Sequence, residues 1–307
     1  MNIASIDIGT NTILLLIARI DFEKKSLLTL HEEIRIPRIG KDLYQTGKIS
    51  EDKIDELENI LLEYKTIADQ YSCPECFVIG THALRSASNN LMIQQRIFEK
   101  TSFSLEIVPP NSEAEFAFYG VRSSINIKET FAIVDIGGGS TEVIISKNNK
   151  ILERKSIPIG VVTLKDNFIS GYPIMVNEKT RLKQKIKNDF NQLNLNHYAP
   201  KSLIGISGTP TTFSAIINDL KFFDPLKVDK TSLSKKDIES VTEFLGDSSI
   251  EKIINTYGEV ISKREDILYI GGEVLLYIMS YFALPNVLIS TKGIRHGVIY
   301  KKMFIDK

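Results

Sequence analysis

Residues 135–141 read Asp-Ile-Gly-Gly-Gly-Ser-Thr, and residues 7–12 read Asp-Ile-Gly-Thr-Asn-Thr. Each stretch follows a short apolar, β-branched run and precedes another, which is the pattern of a strand, a tight turn and a second strand. Glycine and small hydroxyl residues in such a turn allow backbone N–H groups to face an anion. An aspartate at the strand end can hold a divalent cation against that anion. The two stretches therefore predict a pair of β-hairpins suited to phosphate and metal.

The separation between these two hairpins recurs elsewhere in the chain. The interval from Asp7 to Asp135 also relates Val-Ile-Gly-Thr at 78–81 to Gly-Ile-Ser-Gly-Thr at 205–209. Two unrelated turns would not share a separation. We therefore predict two similarly folded α/β halves, each built on a mixed sheet, that face one another across a ligand-binding cleft.

The domain boundary is predicted at a polar stretch in the middle of the chain. Residues 123–129 read as a hinge, which gives an N-terminal domain over 1–124 and a C-terminal domain over 125–307. The segment 294–305 is amphipathic, and this pattern makes it a candidate to join the first domain.

Composition and charge exclude several classes of protein. The chain has 307 residues, of which 43% are hydrophobic and 25% charged, as is ordinary for a globular protein. Its 38 basic and 38 acidic residues give no net charge, so nothing global indicates nucleic-acid or membrane binding. Because no stretch is apolar enough to span a bilayer and the N-terminus has no signal-peptide layout, we expect a cytoplasmic location.

The two cysteines form a single C-x-x-C motif at Cys73 and Cys76. A structural zinc site needs four ligands, and His82 is the only other candidate nearby. Two reduced thiols in a loop are the favoured interpretation, with redox chemistry or half of a zinc site as alternatives.

Two local patterns concern the segments around the candidate sites. Pro109-Pro110 breaks the chain before a helix, where Ser112 and Glu115 form an S-x-x-E capping box that would place Glu113 at the first helical position. Farther along, Ile267–Ile270 predicts a buried strand that runs into Gly271-Gly272 and an apolar helix.

Six stretches, taken in order, resemble the exopolyphosphatase/guanosine pentaphosphate phosphohydrolase family. They are D-I-G-T-N-T at 7–12, G-T-H-A-L-R at 80–85, S-E-A-E at 112–115, D-I-G-G-G-S-T-E at 135–142, G-I-S-G-T at 205–209 and G-I-R-H-G-V at 293–298. The resemblance implies a duplicated actin-like fold, the ribonuclease-H-like fold of sugar kinases and heat-shock ATPases. The chain is similar to the short, two-domain members.

The resemblance also implies roles for individual residues. Glu113 would be the base that orients the attacking water, and Glu142 would ligate metal or hold that water. Asp7, Asp135 and Glu142 would position Mg²⁺, with Mn²⁺ as an alternative. The implied phosphate-binding residues are Thr10, Asn11, Arg85, Gly137, Gly138, Gly139, Ser140, Thr141, Gly208, Thr209 and Arg295.

One position departs from the family pattern. The family's motif around its catalytic glutamate reads E-E-A-R, whereas here Ser112 precedes Glu113 and Glu115 stands at the arginine position. A carboxylate in place of a cation would reduce positive charge near the phosphate path.

The predicted function is hydrolysis of a phosphoanhydride, releasing terminal phosphate from inorganic polyphosphate or the 5′-phosphate of guanosine pentaphosphate. The alternatives are an actin-like kinase or ATPase and a non-catalytic sensor of polyphosphate or an alarmone. No nucleic-acid or membrane partner is expected, and the oligomeric state, a homodimer included, is left open. The basic residues that would form a polyphosphate track, if they are not simply solvated, are Lys183, Lys185, Lys187, Lys235, Lys236, Lys292, Arg295, Lys301 and Lys302.

Overall fold

The computed structural model describes residues 1–261 and 263–306, which form two compact units. The first unit contains Met1–Ile125 and the C-terminal residues from Lys292, and the second contains Asn126–Thr291. Within the described ranges, no helix is both long and apolar enough to cross a membrane.

The first unit is built on a five-stranded mixed sheet. Its strands are β1 (Asn2–Ile8), β2 (Ile13–Asp21), β3 (Ser26–Arg35), β4 (Cys76–Gly80) and β5 (Leu105–Ile107). Their order across the sheet is β3-β2-β1-β4-β5. The pairs β3–β2 and β2–β1 are antiparallel, and the pairs β1–β4 and β4–β5 are parallel.

Five helices connect these strands or follow them. They are α1 (Leu43–Thr46), α2 (Glu51–Gln70), α3 (His82–Ser86), α4 (Asn90–Thr101) and α5 (Pro110–Arg122). Helix α2 buries Leu57, Leu61 and Tyr64 against the sheet side chains Ile6 and Leu15 in one hydrophobic core. Removal of this much apolar surface from water stabilises the first unit.

The second unit is built on a six-stranded mixed sheet. Its strands are β6 (Phe131–Ile136), β7 (Thr141–Lys147), β8 (Lys150–Ile157), β9 (Ser202–Ile206), β10 (Ser232–Ser234) and β11 (Asn286–Ile289). The strand order is β10-β11-β9-β6-β7-β8. Strands β6, β7 and β8 are antiparallel neighbours, whereas β6–β9 and β9–β11 are parallel.

The helices of the second unit follow in chain order. They are α6 (Val161–Phe168), α7 (Val176–Asn191), α8 (Gly208–Ile217), α9 (Pro225–Val228), α10 (Lys235–Asp247), α11 (Ile250–Tyr257) and α12 (Leu268–Tyr281), with short 3₁₀ helices at Asn196–Tyr198 and Gly258–Ile261. The last helix, α13 (Ile294–Phe304), belongs to the first unit. It packs Ile299 and Met303 against Ile3 and Leu16 of the first sheet.

The two sheets share one topology, which confirms the predicted duplicated α/β fold. Strands β8-β7-β6-β9-β11 repeat the order and directions of β3-β2-β1-β4-β5, and β10 is an added edge strand. The hairpins are closed by equivalent bonds, from the Gly9 N–H to the Thr12 carbonyl and from the Gly137 N–H to the Ser140 carbonyl, each 2.9 Å long.

Two local predictions were wrong. Residues 268–281 form one helix, α12, which has Ile267 as its N-cap and includes the rest of the predicted strand and its two glycines. Because this segment is buried on most of its surface, its apolar residues carry no periodicity that separates helix from strand. The capping box is also absent, since α5 begins at Pro110 with Pro109 as N-cap. Proline suits the first helical position, where its missing N–H is not needed.

Candidate active site

The first hairpin turn has its carbonyl groups fixed from behind. The Asn11 carbonyl accepts a bond from the Arg38 N–H at 3.1 Å, and the Thr10 carbonyl accepts one from the Gly40 N–H at 2.9 Å. In contrast, the N–H groups of Thr10 and Asn11 make no hydrogen bond with other described residues. Free N–H groups on successive turn residues form an anion-binding concavity.

The second hairpin turn is fixed in the same way by the start of α6. The Gly137 carbonyl accepts a bond from the Val161 N–H at 3.0 Å, and the Gly138 carbonyl accepts one from the Val162 N–H at 2.9 Å. Among the residues that the structure describes, nothing accepts the N–H groups of Gly138 or Gly139. Each turn therefore keeps free donors that suit a phosphate group.

Two glycines outside the motifs allow these contacts, and neither was predicted from the sequence. A Cβ at Gly40 would lie 2.2 Å from Cγ2 of Thr10, and a Cβ at Gly160 would lie 2.2 Å from the Gly138 carbonyl oxygen. Each glycine follows the third strand of its sheet. The interval between Gly40 and Gly160 differs from that between Asp7 and Asp135, so the repeat in the sequence does not point to these two glycines.

Some donors predicted to bind phosphate are used inside the second hairpin. The Thr141 hydroxyl donates to the Ile159 carbonyl at 2.5 Å, and Gly137 and Ser140 close the turn through their backbone groups. These residues hold the shape of the turn, whereas Gly138 and Gly139 contribute N–H groups that no described residue accepts.

The two predicted site acids of the second unit lie side by side. Asp135 on β6 and Glu142 on β7 are directly opposite in the antiparallel register, so their side chains leave the same face of the sheet. Both are buried. Glu142 accepts a 2.7 Å hydrogen bond from the Ser156 hydroxyl. Burial raises the pKa of Asp135 to about 6, and a hydrogen bond from Ser207 opposes this shift.

These two carboxylates fit the requirements of Mg²⁺. Within residues 1–261 and 263–306, no group of three His, Cys, Asp or Glu side chains could hold a metal ion. Mg²⁺ is usually bound by one or two carboxylates together with substrate phosphates rather than by an all-protein cage. Asp7, the third predicted ligand, is buried near the end of β1 in the first unit. In that unit, Oδ1 of Asn11 is buried and has no hydrogen-bond partner.

Glu113 lies in the first turn of α5, and the fold brings Arg85 to it. Nη1 of Arg85 lies 3.1 Å from Oε2 of Glu113 and 2.6 Å from the Val108 carbonyl oxygen. The Glu113 side chain is only 7% exposed, which is unusual for a glutamate. A first-turn glutamate that served only the helix dipole would be exposed.

A second arginine near the Gly-Thr turn was not found from the sequence. The guanidinium of Arg264 lies against Gly208, with Nε 3.2 Å from the position of a Cβ there. Gly208 begins α8, so the cation stands beside a helix N-terminus. The Thr209 side chain instead packs against Gly271 at the start of α12.

Arg295 and Glu115 are engaged in ion pairs of the first unit. Nη2 of Arg295 donates to Glu32 at 2.7 Å, and the Arg295 side chain is buried. Glu115 lies 3.8 Å from Nζ of Lys301 on α13, which balances the acidic departure from the family motif. The predicted phosphate role of Arg295 stays a prediction.

The basic residues predicted as a track are largely paired with acids. Lys183, Lys187 and Lys235 line a groove of about 520 Å³ between α7, α10 and α12, but Glu239, Glu243 and Glu273 line it too. Their balanced charges favour a solvated surface over a polyanion track.

The cysteines carry no sign of reactivity. Cys73 and Cys76 are free, and burial raises the pKa of both thiols, that of Cys76 to about 12. Because the thiolate is the reactive form, these cysteines are poor nucleophiles at neutral pH.

Two anion-suited turns on a duplicated α/β fold, each close to a buried aspartate, have the features of a phosphate-handling protein. The model of the Ppx/GppA phosphatase family matches residues 16–304, so the chain belongs to this family of hydrolases.

Relatives and solved structures agree with that assignment. The chain is 28% identical to the bifunctional 3-dehydroquinate synthase/phosphatase of Fusobacterium nucleatum, over 96% of this chain but only 46% of that protein. It is 24% identical to exopolyphosphatase 2 of Mycobacterium tuberculosis, over 79% of each chain. The crystal structure of an exopolyphosphatase from Cytophaga hutchinsonii superposes with a TM-score of 0.91 at 27% identity, covering 98% of this chain and 97% of the other.

Proposed function

We propose that the chain hydrolyses phosphoanhydrides, releasing terminal phosphate from inorganic polyphosphate or the 5′-phosphate of guanosine pentaphosphate. The relative named exopolyphosphatase supports the first substrate, and the sequence motifs support both.

This proposal rests on one observation, the identity of the Asp and Glu residues that are buried. Of the 38 Asp and Glu residues, six are buried in the part of the chain that the structure describes. Two of the six have structural roles: Glu58 pairs with Arg96 and Lys100, and Glu178 accepts bonds at the start of α7. The other four are Asp7, Glu113, Asp135 and Glu142. These four are the acids that the sequence motifs single out.

The four acids divide between two chemical tasks. Glu113 accepts a proton from the attacking water, and the free N–H groups of the hairpin turns stabilise charge on the transferred phosphoryl group. Asp135 and Glu142 of the second unit would hold Mg²⁺, which when bound neutralises charge on phosphate oxygens. Asp7 keeps its predicted metal role at the equivalent hairpin of the first unit. Glu142 is held in orientation by Ser156.

The pairing of surface lysines with acidic side chains affects which substrate we expect the chain to prefer. A long polyanion needs a basic track, and the lysines that could form one are balanced by acids. We therefore expect short polyphosphates or guanosine pentaphosphate to be used at least as well as long chains.

A phosphate-release panel tests the proposal. The purified chain is assayed with Mg²⁺ on short and long polyphosphate, guanosine pentaphosphate and ATP, in parallel with Glu113→Gln. We expect release from polyphosphate or guanosine pentaphosphate and a loss of about 10²- to 10⁴-fold in the variant. Glu115→Gln, a change at a half-buried neighbour on the same helix, is the matched control and should retain activity.

Three results would contradict the proposal. Release from ATP alone would indicate an ATPase or kinase. Binding of polyphosphate without release would indicate a sensor. Near-normal turnover in Glu113→Gln would remove Glu113 as the base.

A further inference from the structure

Arg85 joins the end of the first sheet to the helix that carries Glu113. Its Nη1 donates both to the Val108 carbonyl, at 2.6 Å, and to Oε2 of Glu113, at 3.1 Å. Val108 directly follows β5, and its own N–H is bonded to the Gly80 carbonyl at the end of β4. One nitrogen atom therefore fixes a carboxylate relative to two strand ends.

The ion pair between Arg85 and Glu113 is largely buried, so it affects the charge and the orientation of the Glu113 carboxylate. The side chain of Glu113 is 7% exposed and that of Arg85 is 23% exposed. Removing the cation from a buried pair removes a charge-assisted hydrogen bond that fixes the direction of the carboxylate. Without that bond, Glu113 is held less firmly in the orientation that a base needs.

Arg85 keeps further donors beyond this contact. Its Nε and Nη2 make no hydrogen bond with any described residue, and the group is planar. Burial and the charge of Arg85 lower the pKa of the neighbouring His82, so that side chain is not a competing cation at neutral pH. The guanidinium can therefore hold Glu113 through Nη1 while its other edge meets a phosphate oxygen.

We propose that Arg85 is a positioning residue for Glu113 in addition to any contact with phosphate. The inference rests on the proposed function, in which Glu113 is the base. Arg85 holds Oε2 of Glu113 and thereby fixes the direction of the carboxylate toward the attacking water. It thereby sets the geometry between base and phosphate, where an error of about 1 Å typically costs about 10²-fold in rate.

A double-mutant cycle tests this role by separating kcat from KM. Arg85→Ala is measured in the wild-type background and in Glu113→Gln, with a single-turnover assay on end-labelled polyphosphate. In the wild-type background, kcat should fall by about 10²-fold. In Glu113→Gln, the same change should lower kcat by less than about threefold, because residues that act as a unit are not additive. The rise in KM should be similar in both backgrounds.

Arg85→Lys refines the test. A lysine keeps the charge but is a point donor that cannot span the Val108 carbonyl, Glu113 and a phosphate oxygen together. Relative to Arg85→Ala, Arg85→Lys should bring KM closer to the wild-type value than it brings kcat.

Two results separate this inference from the proposed function. An equal loss of kcat on Arg85→Ala in both backgrounds would show that Arg85 acts directly on the phosphoryl group, and would overturn the positioning role. A wild-type chain that releases no phosphate from polyphosphate or guanosine pentaphosphate would overturn the proposed function, whereas high activity in Glu113→Gln would remove Glu113 as the base.

A matched variant controls for folding. Arg96→Ala removes another arginine of the first unit that pairs with a buried glutamate, Glu58, through a 2.5 Å contact. It should lower the melting temperature without changing kcat. If Arg85→Ala fails to fold, the cycle is run with Arg85→Lys, whose kcat loss should likewise disappear in Glu113→Gln.

Discussion

Ser207 has a backbone conformation that residues with a side chain rarely adopt. Its φ is 70° and its ψ is −168°, in a region occupied almost only by glycine. It is the N-cap of α8, next to Gly208 and Arg264, and it hydrogen-bonds to Asp135. Such strained positions cluster at functional sites, which agrees with the proposed role of this turn.

This strain can be measured with a pair of variants. Ser207→Ala and Ser207→Gly both lose the hydroxyl, so they differ only in backbone preference. We expect Ser207→Ala to have a free energy of unfolding about 1–3 kcal/mol lower than Ser207→Gly. Urea unfolding followed by circular dichroism is suitable, since the chain has no tryptophan. The exposed helical Ser240 provides a control, because there the glycine variant should be the less stable one. The same order at both positions would contradict the assigned strain.

Asp135 leads to a prediction about pH. Its folded-state pKa of about 6 lies above the value of about 3.9 for an unfolded chain. The folded state therefore keeps a proton that the unfolded state loses, and stability falls as pH rises through this interval. In Mg²⁺-free buffer, wild type should lose up to about 3 kcal/mol relative to Asp135→Asn between about pH 4 and pH 6. A difference that stays constant over this range would show that the carboxyl is not perturbed.

At the scale of elements, the turn of each hairpin depends on the segment that follows the third strand of its sheet. Gly40 and Gly160 bring that segment within hydrogen-bonding distance of the turn carbonyls. The turn residues alone therefore do not fix the direction of their N–H groups. Packing of a separate segment behind them does so.

Gly160→Ala should disturb the second turn. The new methyl group would overlap the Gly138 carbonyl, and overpacking of this kind costs about 1–3 kcal/mol. We expect a lower melting temperature and a fall in kcat/KM, measured by thermal unfolding and phosphate release. Gly171→Ala is the control, because a Cβ there meets no atom within 4 Å. If both variants behave like wild type, Gly160 does not support the turn.

At the scale of the whole molecule, the net charge is zero, and basic and acidic side chains are also balanced within the groove between α7, α10 and α12. Lys183 pairs with Glu273 and Lys235 lies near Glu239, and both pairs border the groove between α7, α10 and α12. Partly exposed pairs of this kind, on a solvated surface, contribute at most about 1 kcal/mol each.

Reversing charge in the groove should have little effect on catalysis. For Lys183→Glu combined with Lys187→Glu, we expect KM for long polyphosphate to change by less than about fivefold, as an energy of about 1 kcal/mol implies. KM for guanosine pentaphosphate should change as little. The measurement is steady-state phosphate release at low and moderate salt. A large increase in KM for long chains alone would establish a polyphosphate track.

The sequence by itself determined the duplicated α/β fold and predicted the four acids that carry the proposal. The fold follows from local information: each D-I-G turn lies between two β-branched runs, and the interval between Asp7 and Asp135 recurs at the Gly-Thr turns. The same turns single out Asp7 and Asp135, whereas Glu113 and Glu142 were predicted from the resemblance to the family. Hydrophobic period and turn chemistry act over a few residues, so they can be read directly from the chain.

The tertiary structure decided which groups meet these acids. Arg85 and Glu113 are on different helices, α3 and α5, and nothing local predicts their ion pair. Arg264 reaches Gly208 from a distant segment. The helix α12 is buried on most of its surface, so its sequence has no hydrophobic periodicity that separates a helix from a strand. Contacts between residues far apart in sequence depend on how the elements pack, and a single sequence does not contain that packing explicitly.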